Sequence, residues 1–194
     1  MRTVDERTAN TGEAIRAAMR SAGVNIRVAM PGIVEEFDRE RQTVAVRPAI
    51  REVLRSGGAE REIEIPPLVD VPIVLPRAGG YLLALAPRAG DECLVVFADS
   101  CIDGWWQSGG VQSQAERRRH DLSDGFAILG PWSQPNLPAL PESGARLQDE
   151  AGETYVAIEG GKVYIQGDLY INGSEYRRHT HSVSEGAGRT GGVS

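Results

Sequence analysis

Residues 82–97 have the sequence LLALAPRAGDECLVVF. Its second half, Glu92–Phe97, is a short apolar run of the kind found in buried strands. The preceding residues, Pro87–Asp91, contain the proline, glycine and aspartate that are typical of a turn. Before this turn, Tyr81–Ala86 is predicted to be extended. The stretch therefore predicts two strands joined by a tight turn.

Further strands are predicted on both sides of this stretch by short apolar runs and by alternation with a period of two. They comprise Arg27–Met30, Gly32–Phe37, Thr43–Pro48, a hairpin of Ile50–Leu54 and Glu60–Ile65 across the turn Ser56–Gly58, Val69–Leu75, and the end of the segment His120–Gly130. Short strands with regular turns over about a hundred residues predict a small closed barrel, which we place at residues 25–130. The predicted fold class is all-β.

A short helical segment is predicted before the barrel, within residues 1–24. Good helix formers fill Thr11–Ala22, and Gly23 provides a stop. The apolar stripe of this helix is small, so the helix gains little stability by itself. We therefore expect it to dock on its own domain or on a partner.

The overall charge argues against a nucleic-acid-binding protein. The chain of 194 residues has a formal net charge of −6. An acidic chain gains no counterion-release energy from a phosphate backbone, so no nucleic acid is expected among its partners. The consecutive arginines Arg117–Arg119 are expected to be a solvated loop face.

The sequence shows neither an export signal nor a membrane span. Met1–Asn10 is polar and lacks the apolar centre of a signal peptide. No apolar stretch approaches the roughly 18 residues that a transmembrane helix needs. We expect synthesis in the cytoplasm, where Cys93 and Cys101 stay reduced and buried.

Two adjacent tryptophans, Trp105 and Trp106, lie in the loop between the last two predicted barrel strands. Exposed aromatic rings serve as base-stacking platforms in proteins that bind single strands. In an acidic protein a structural role is favoured, with one ring closing the end of the barrel and the other covering an interface.

The composition of the sequence changes after the barrel. Prolines recur at spacings that disfavour both helix and sheet, and they predict a stiff linker over residues 131–145. Residues 146–178 then contain very short alternating strands separated by glycine turns. The apolar series predicted to share one face is Tyr155, Ala157, Val163, Ile165, Leu169 and Ile171.

A face of about six apolar residues is too small to offset an ordering cost of roughly 1–2 kcal/mol per residue. We therefore expect several copies of residues 146–178 to wrap together as an intertwined β-helical stalk, which removes exposed sheet edges. The alternative is an independent β-hairpin domain.

A metal site is predicted near the C-terminus, at His179-Thr180-His181. In an extended strand, residues i and i+2 point to the same side, so both imidazoles face together. Three chains converging on an axis would supply six nitrogens, which suits an octahedral ion such as iron better than four-coordinate structural zinc. Such an ion would be structural and would pin residues 179–194 at an apex.

The order of these features resembles the central spike, or membrane-puncturing, proteins of contractile phage tails and related injection machines, of the Mu-like and P2-like type. The most specific parts are the barrel stretch from Pro31–Val34 to Gly130–Pro131, and His179-Thr180-His181 followed by Thr190-Gly191. The resemblance implies an OB-type barrel that docks under a baseplate hub protein, a trimeric stalk, and one iron ion per homotrimer bound by His179 and His181.

The function implied by the resemblance is mechanical, and no catalytic residue is expected. The homotrimer would pierce the target cell's outer membrane when the sheath contracts, and it would be located in the baseplate of a virion or tail-like particle. One alternative is a monomeric OB-fold module that binds oligonucleotides or carbohydrates through Trp105 and Trp106. Another is a small metal enzyme that uses His120 with His179 and His181.

Overall fold

A computed structural model of the chain describes residues 12–16, 26–56 and 59–176. The chain divides into two compact units, Met1–Ser133 and Gln134–Ser194. Of the predicted N-terminal helical segment, residues 12–16 are helical. The predicted metal-binding apex, with His179 and His181, lies outside the described residues.

The first unit is built mainly from short strands. They are β1 (Ala29–Asp38), β2 (Thr43–Pro48), β3 (Glu52–Ser56), β4 (Ala59–Ile63), β5 (Leu68–Val74), β6 (Arg77–Ala78), β7 (Tyr81–Leu82), β8 (Glu92–Phe97) and β9 (Gly125–Leu129). A six-residue helix, Asp103–Ser108, lies in the connection between β8 and β9. Among the described residues, no helix is long and apolar enough to cross a membrane.

Five of these strands close into a barrel in the order β1-β2-β5-β9-β8. All neighbouring pairs are antiparallel except β5 and β9, which run parallel. The fifth barrel strand thus inserts between the third and the fourth, giving an OB-like barrel. The pairs β3–β4 and β6–β7 form separate two-stranded hairpins in the connections. The predicted closed barrel is confirmed.

The core of the barrel is made by alternate residues of its strands. Cys93 and Val95 on β8 and Ala127 on β9 are 0% exposed. Val34 and Val46 meet them from β1 and β2 with exposures of 1% and 0%. The period of two predicted from sequence is therefore realised, with one residue in two facing inward.

Two strand predictions were wrong in detail. The two strands predicted on either side of Pro31 form the single strand β1. Pro31 is tolerated inside this strand because β2 pairs with β1 only from Gly32 onward, so the missing N–H of Pro31 removes no hydrogen bond from the ladder. The strand predicted over Tyr81–Ala86 shrinks to the two residues of β7, which pair with β6. The ring of five strands closes without this segment, so no barrel edge is left for it.

Within its described residues, 134–176, the second unit contains five short strands and the 3-10 turn Gln134–Asn136. Its strands are β10 (Ala145–Gln148), β11 (Tyr155–Glu159), β12 (Lys162–Gln166), β13 (Tyr170–Ile171) and β14 (Ser174–Glu175). The first three form an antiparallel sheet in the order β10-β11-β12, and the last two form a hairpin. The short strands predicted between glycine turns are present, and within one chain they form a meander.

The turn between β11 and β12 corrects the predicted apolar face. Gly160 and Gly161 both have positive φ, 57° and 74°, as a two-residue type I′ turn requires. Such a turn pairs odd-numbered residues with even-numbered ones, so Val163 lies opposite Ile158. Val163 therefore does not share a face with Tyr155, and the alternation predicted from sequence slips by one residue at the turn.

Candidate functional site

One face of the β10–β12 sheet is apolar and uncovered. Directly opposed residues of an antiparallel pair project from the same face, and Leu147, Val156 and Ile165 are opposed in register across the three strands. Ile158 and Val163 form the next pair on this face. We call these five residues the stalk face. Their exposed fractions lie between 46% and 67%.

The described part of the second unit has almost no core of its own. Among its described residues only Ala157 is buried, with 2% of its surface exposed. Ala157 belongs to the face opposite the stalk face, where the guanidinium of Arg146 lies 4.3 Å from the centre of the Tyr155 ring. Small isolated sheets need a covered apolar face for stability, and here the covered face is not the apolar one.

The edges of this sheet are also open within the described residues, because β10 and β12 each pair only with β11. All five residues of β12 are exposed. Lys162 pairs with Glu159 across the turn, so the N–H and C=O groups of Val163 and Ile165 point away from β11. The edge of β12 therefore offers free backbone groups to another strand.

The predicted metal ligands His179 and His181 are not placed, since they lie outside the described residues. The third histidine, His120, belongs to the barrel unit and has a left-handed backbone with φ of 48°. Its Nε2 lies 3.5 Å from Oδ1 of Asp99. The metal site at the C-terminus stays a prediction.

Sequence reasoning missed a buried ion pair in the β8–β9 connection. Asp124 is 0% exposed, and its carboxylate accepts hydrogen bonds from Nε and Nη2 of Arg118 at 3.0 and 3.1 Å. Arg118 also donates to Oδ2 of Asp103 at 2.9 Å and to Sγ of Cys101 at 3.1 Å. The expectation that the arginine triplet forms a solvated face was therefore wrong for Arg118, whose side chain is 23% exposed.

The protonation states follow from this geometry. Burial favours the neutral form of Asp124, but the hydrogen bonds from Arg118 and from the Ile102 N–H outweigh it, so the pKa of Asp124 is lowered. The hydrogen bonds to Asp124 and Asp103 raise the pKa of Arg118. The thiol sulfur of Cys101 and carboxylate oxygens of Asp103 and Asp124 lie within 4.8 Å of one another. These three groups accept hydrogen bonds from the guanidinium of Arg118, which is the positive charge at this cluster.

This ion pair holds the helix that carries the tryptophans. The backbone N–H of Ile102, the residue before the helix, donates to Oδ1 of Asp124 at 3.0 Å. Trp105 packs edge-on against Phe126, with ring centres 5.7 Å apart. Trp105 and Trp106 remain 45% and 41% exposed, so neither ring is buried, and the expected closing of the barrel end stays a prediction. Through Phe126, Trp105 covers part of β9.

Residues 30–130 match the family model described as "Phage protein Gp138 N-terminal domain". The match covers just over half of the chain and contains the barrel strands apart from the first residue of β1. No curated protein matches the chain.

Replacing Arg118 by methionine should destabilise the barrel unit by about 3 kcal/mol, because it leaves the buried Asp124 without its partner. Urea unfolding followed by tryptophan fluorescence measures the change. The matched control is Arg117→Met, since Arg117 is exposed and should be nearly neutral. The lowered pKa of Asp124 means that the pair stabilises above the ordinary carboxyl pKa of 3.8 and loses its effect as the pH falls below it. Equal stabilities of the two variants at pH 7 would contradict the structural role of the pair.

Proposed function

Because the chain belongs to the family of the phage protein Gp138 N-terminal domain, which makes it a phage tail- or baseplate-related protein, we propose that it is the central spike of a contractile baseplate. In this proposal it forms a homotrimeric needle that pierces the target cell's outer membrane when the sheath contracts. The observation that carries the proposal is the uncovered stalk face of the second unit.

Burial of the stalk face is the main stabilisation available to this sheet, and this favours the assembly of several copies. Complete burial of one Val, Leu or Ile side chain contributes about 1.5–3 kcal/mol. Five such side chains per copy are about half exposed in the single chain. Packing the faces of several copies against one another makes a shared dry core, which the single chain lacks.

Copies of the same chain are suitable occupants because each brings the same face and the same open edges. Three sheets around one axis turn their stalk faces inward and leave the Arg146–Tyr155 side facing solvent. The backbone groups at the open edge of β12 would then hydrogen-bond to a strand of a neighbouring copy. This is the intertwined trimeric β-helix proposed for residues 146–178, and an assembly without exposed edges resists both fraying and aggregation.

The mechanical role requires a stiff assembly and no chemical reaction. The work of penetration comes from the sheath, and the chain supplies a closed β-surface and a narrow point. We propose no enzymatic activity and assign no catalytic residue. The barrel unit would dock under a baseplate hub protein, which places the chain in the baseplate of a virion or tail-like particle and brings it into transient contact with the outer membrane.

The proposed point of the needle is a structural iron site. His179 and His181 of three chains would provide six imidazole nitrogens, a donor set that suits one octahedral first-row ion. The bound ion would supply cross-links between chain ends, where three separate termini would otherwise fray.

A second candidate function is an OB-fold module that binds oligonucleotides or carbohydrates. One observation favours it: the helix with Trp105 and Trp106 lies between the fourth and fifth barrel strands, in a loop that OB-folds use for ligands, and both rings are exposed. The net charge of −6 disfavours a phosphate backbone as the ligand. This alternative expects a monomer whose tryptophan fluorescence is quenched by the ligand.

The stalk face is tested by Ile165→Glu in the full chain. Three copies of this variant would bring three carboxylates into the proposed dry core, so we expect a shift from trimer to monomer in light scattering after size-exclusion chromatography. The control is Gln166→Glu, which introduces the same group at the next residue of β12 but on the opposite face. The proposal is contradicted if Ile165→Glu remains trimeric at the concentration where the control does.

The metal site is tested by changing both His179 and His181 to alanine. We expect elemental analysis of the purified protein to show about one iron per three chains before the change and none after it, while the trimer persists because the stalk face is intact. His120→Ala is the control and should keep its metal. One metal ion per chain, lost on replacing His120, would instead support the metal-enzyme alternative.

A further inference from the structure

The connection before β8 carries an apolar hairpin that lies outside the barrel. Its strands β6 and β7 form a separate two-stranded sheet. All residues from 76 to 86 are exposed. We call residues 77–85 the apolar hairpin. Its large side chains are exposed to 84% at Tyr81, 58% at Leu82, 40% at Leu83 and 46% at Leu85.

The backbone of the apolar hairpin is well defined. Gly79-Gly80 has positive φ values of 56° and 84°, as a two-residue type I′ turn requires. Leu82 lies opposite Arg77 across this turn. The N–H of Leu83 donates to the carbonyl of Pro76 at 2.9 Å, which extends the ladder by one bond. The hairpin therefore holds its apolar side chains in water on a short ordered element.

The charge of this region differs from that of the whole chain. Residues 71–90 contain two arginines, Arg77 and Arg88, and no aspartate or glutamate, although the chain has 27 acidic residues. Both arginines are exposed. The acids that border the stretch have partners, since Asp70 pairs with Arg41 at 2.8 Å and Asp91 accepts the N–H of Arg88 at 2.8 Å. The apolar hairpin is thus flanked by positive charge in an otherwise acidic protein.

We propose that the apolar hairpin is a lipid-binding element, which inserts its side chains into the surface of a bilayer that contains anionic headgroups. Leucines gain most at the boundary of the acyl chains, and a tyrosine is favoured at the level of the headgroups. Arg77 and Arg88 would then lie where they can pair with lipid phosphates. The proposal does not rest on the proposed trimer, because each copy carries the complete hairpin.

A bilayer fits this surface better than a protein partner does. A stable protein contact buries roughly 1,200 Å² or more with matched shape, and a short hairpin supplies little of that area. A bilayer accepts apolar side chains without a preformed pocket, and its anionic headgroups complement the two arginines. At physiological salt, charges more than about 8 Å from the contact are largely screened. The charge beside the hairpin therefore matters more for binding than the net charge of −6.

The test is cosedimentation of the full chain with vesicles made of phosphatidylcholine and phosphatidylglycerol in equal parts. We expect binding to these vesicles and weaker binding to vesicles of phosphatidylcholine alone. Changing both Tyr81 and Leu82 to serine should lower the partition coefficient about tenfold or more, because their burial in lipid is lost. The matched control is Val111→Ser, which removes an exposed apolar side chain from the β8–β9 connection and should bind like the unchanged chain.

The arginines are tested separately from the apolar side chains. Arg77→Gln and Arg88→Gln should each weaken binding to the anionic vesicles by about fivefold. Neither change should affect binding to phosphatidylcholine alone. This difference between the two vesicles would not arise if the substitutions merely disturbed the fold.

A fluorescent probe locates the contact without removing any apolar side chain. Cys93 and Cys101 are buried, so the exposed thiol of Ala84→Cys can be labelled selectively with nitrobenzoxadiazole. Anionic vesicles should shift its emission to the blue, because the dye enters an apolar environment. The same dye at Glu36→Cys, on an exposed position of β1, should show no shift.

The outcomes separate this proposal from the proposed spike. The lipid proposal is overturned if the unchanged chain stays in the supernatant with anionic vesicles, and the hairpin would then be a candidate contact for a protein partner. Unchanged binding of the Tyr81 and Leu82 double variant, or a blue shift only at position 36, would overturn it as well. A monomeric chain that binds vesicles through position 84 would support lipid binding and contradict the trimer.

Discussion

The proposed assembly depends above all on burial of the stalk face. The β10–β12 sheet places Val156, Ile158 and Val163 on one side and buries only Ala157 on the other. A sheet of this size gains too little from its own contacts to offset the entropy of ordering it. The uncovered face and the open edge of β12 can both be satisfied by neighbouring copies of the chain. The proposed needle rests on that single requirement.

The barrel has the opposite character, because its core is complete within one chain. Strands β1, β2, β5, β9 and β8 close on themselves and bury Val34, Val46 and Val95 almost entirely. Its connections carry the Arg118–Asp124 pair, which holds the tryptophan helix, and the exposed apolar side chains of residues 81–85. In the proposed spike, the barrel would dock on the hub protein and the second unit would assemble the trimer.

Local pattern predicted the barrel well, because short apolar runs such as Glu92–Phe97 and the turns around them show directly where strands begin and end. It failed where a long-range pairing decides the result. The alternation slips at Gly160-Gly161 because a two-residue turn changes which residues of β11 and β12 lie opposite one another. The burial of Arg118 was not predicted because its partner Asp124 becomes buried only when β8 and β9 pair. That residues 83–86 form no barrel strand could not be foreseen without knowing that five other strands close the ring. His179 and His181 remain a sequence-based prediction.

The most direct test of the central claim is native mass spectrometry of the full chain, which reports the number of subunits and any bound metal together. Packing of the stalk faces of three copies predicts a species of three chains, and the proposed apex adds the mass of one iron ion. A protein that stays monomeric across concentrations would contradict the proposed assembly, because the stalk face would then be stable in water without a partner. In that case the exposed tryptophans of the barrel would become the leading candidate for function.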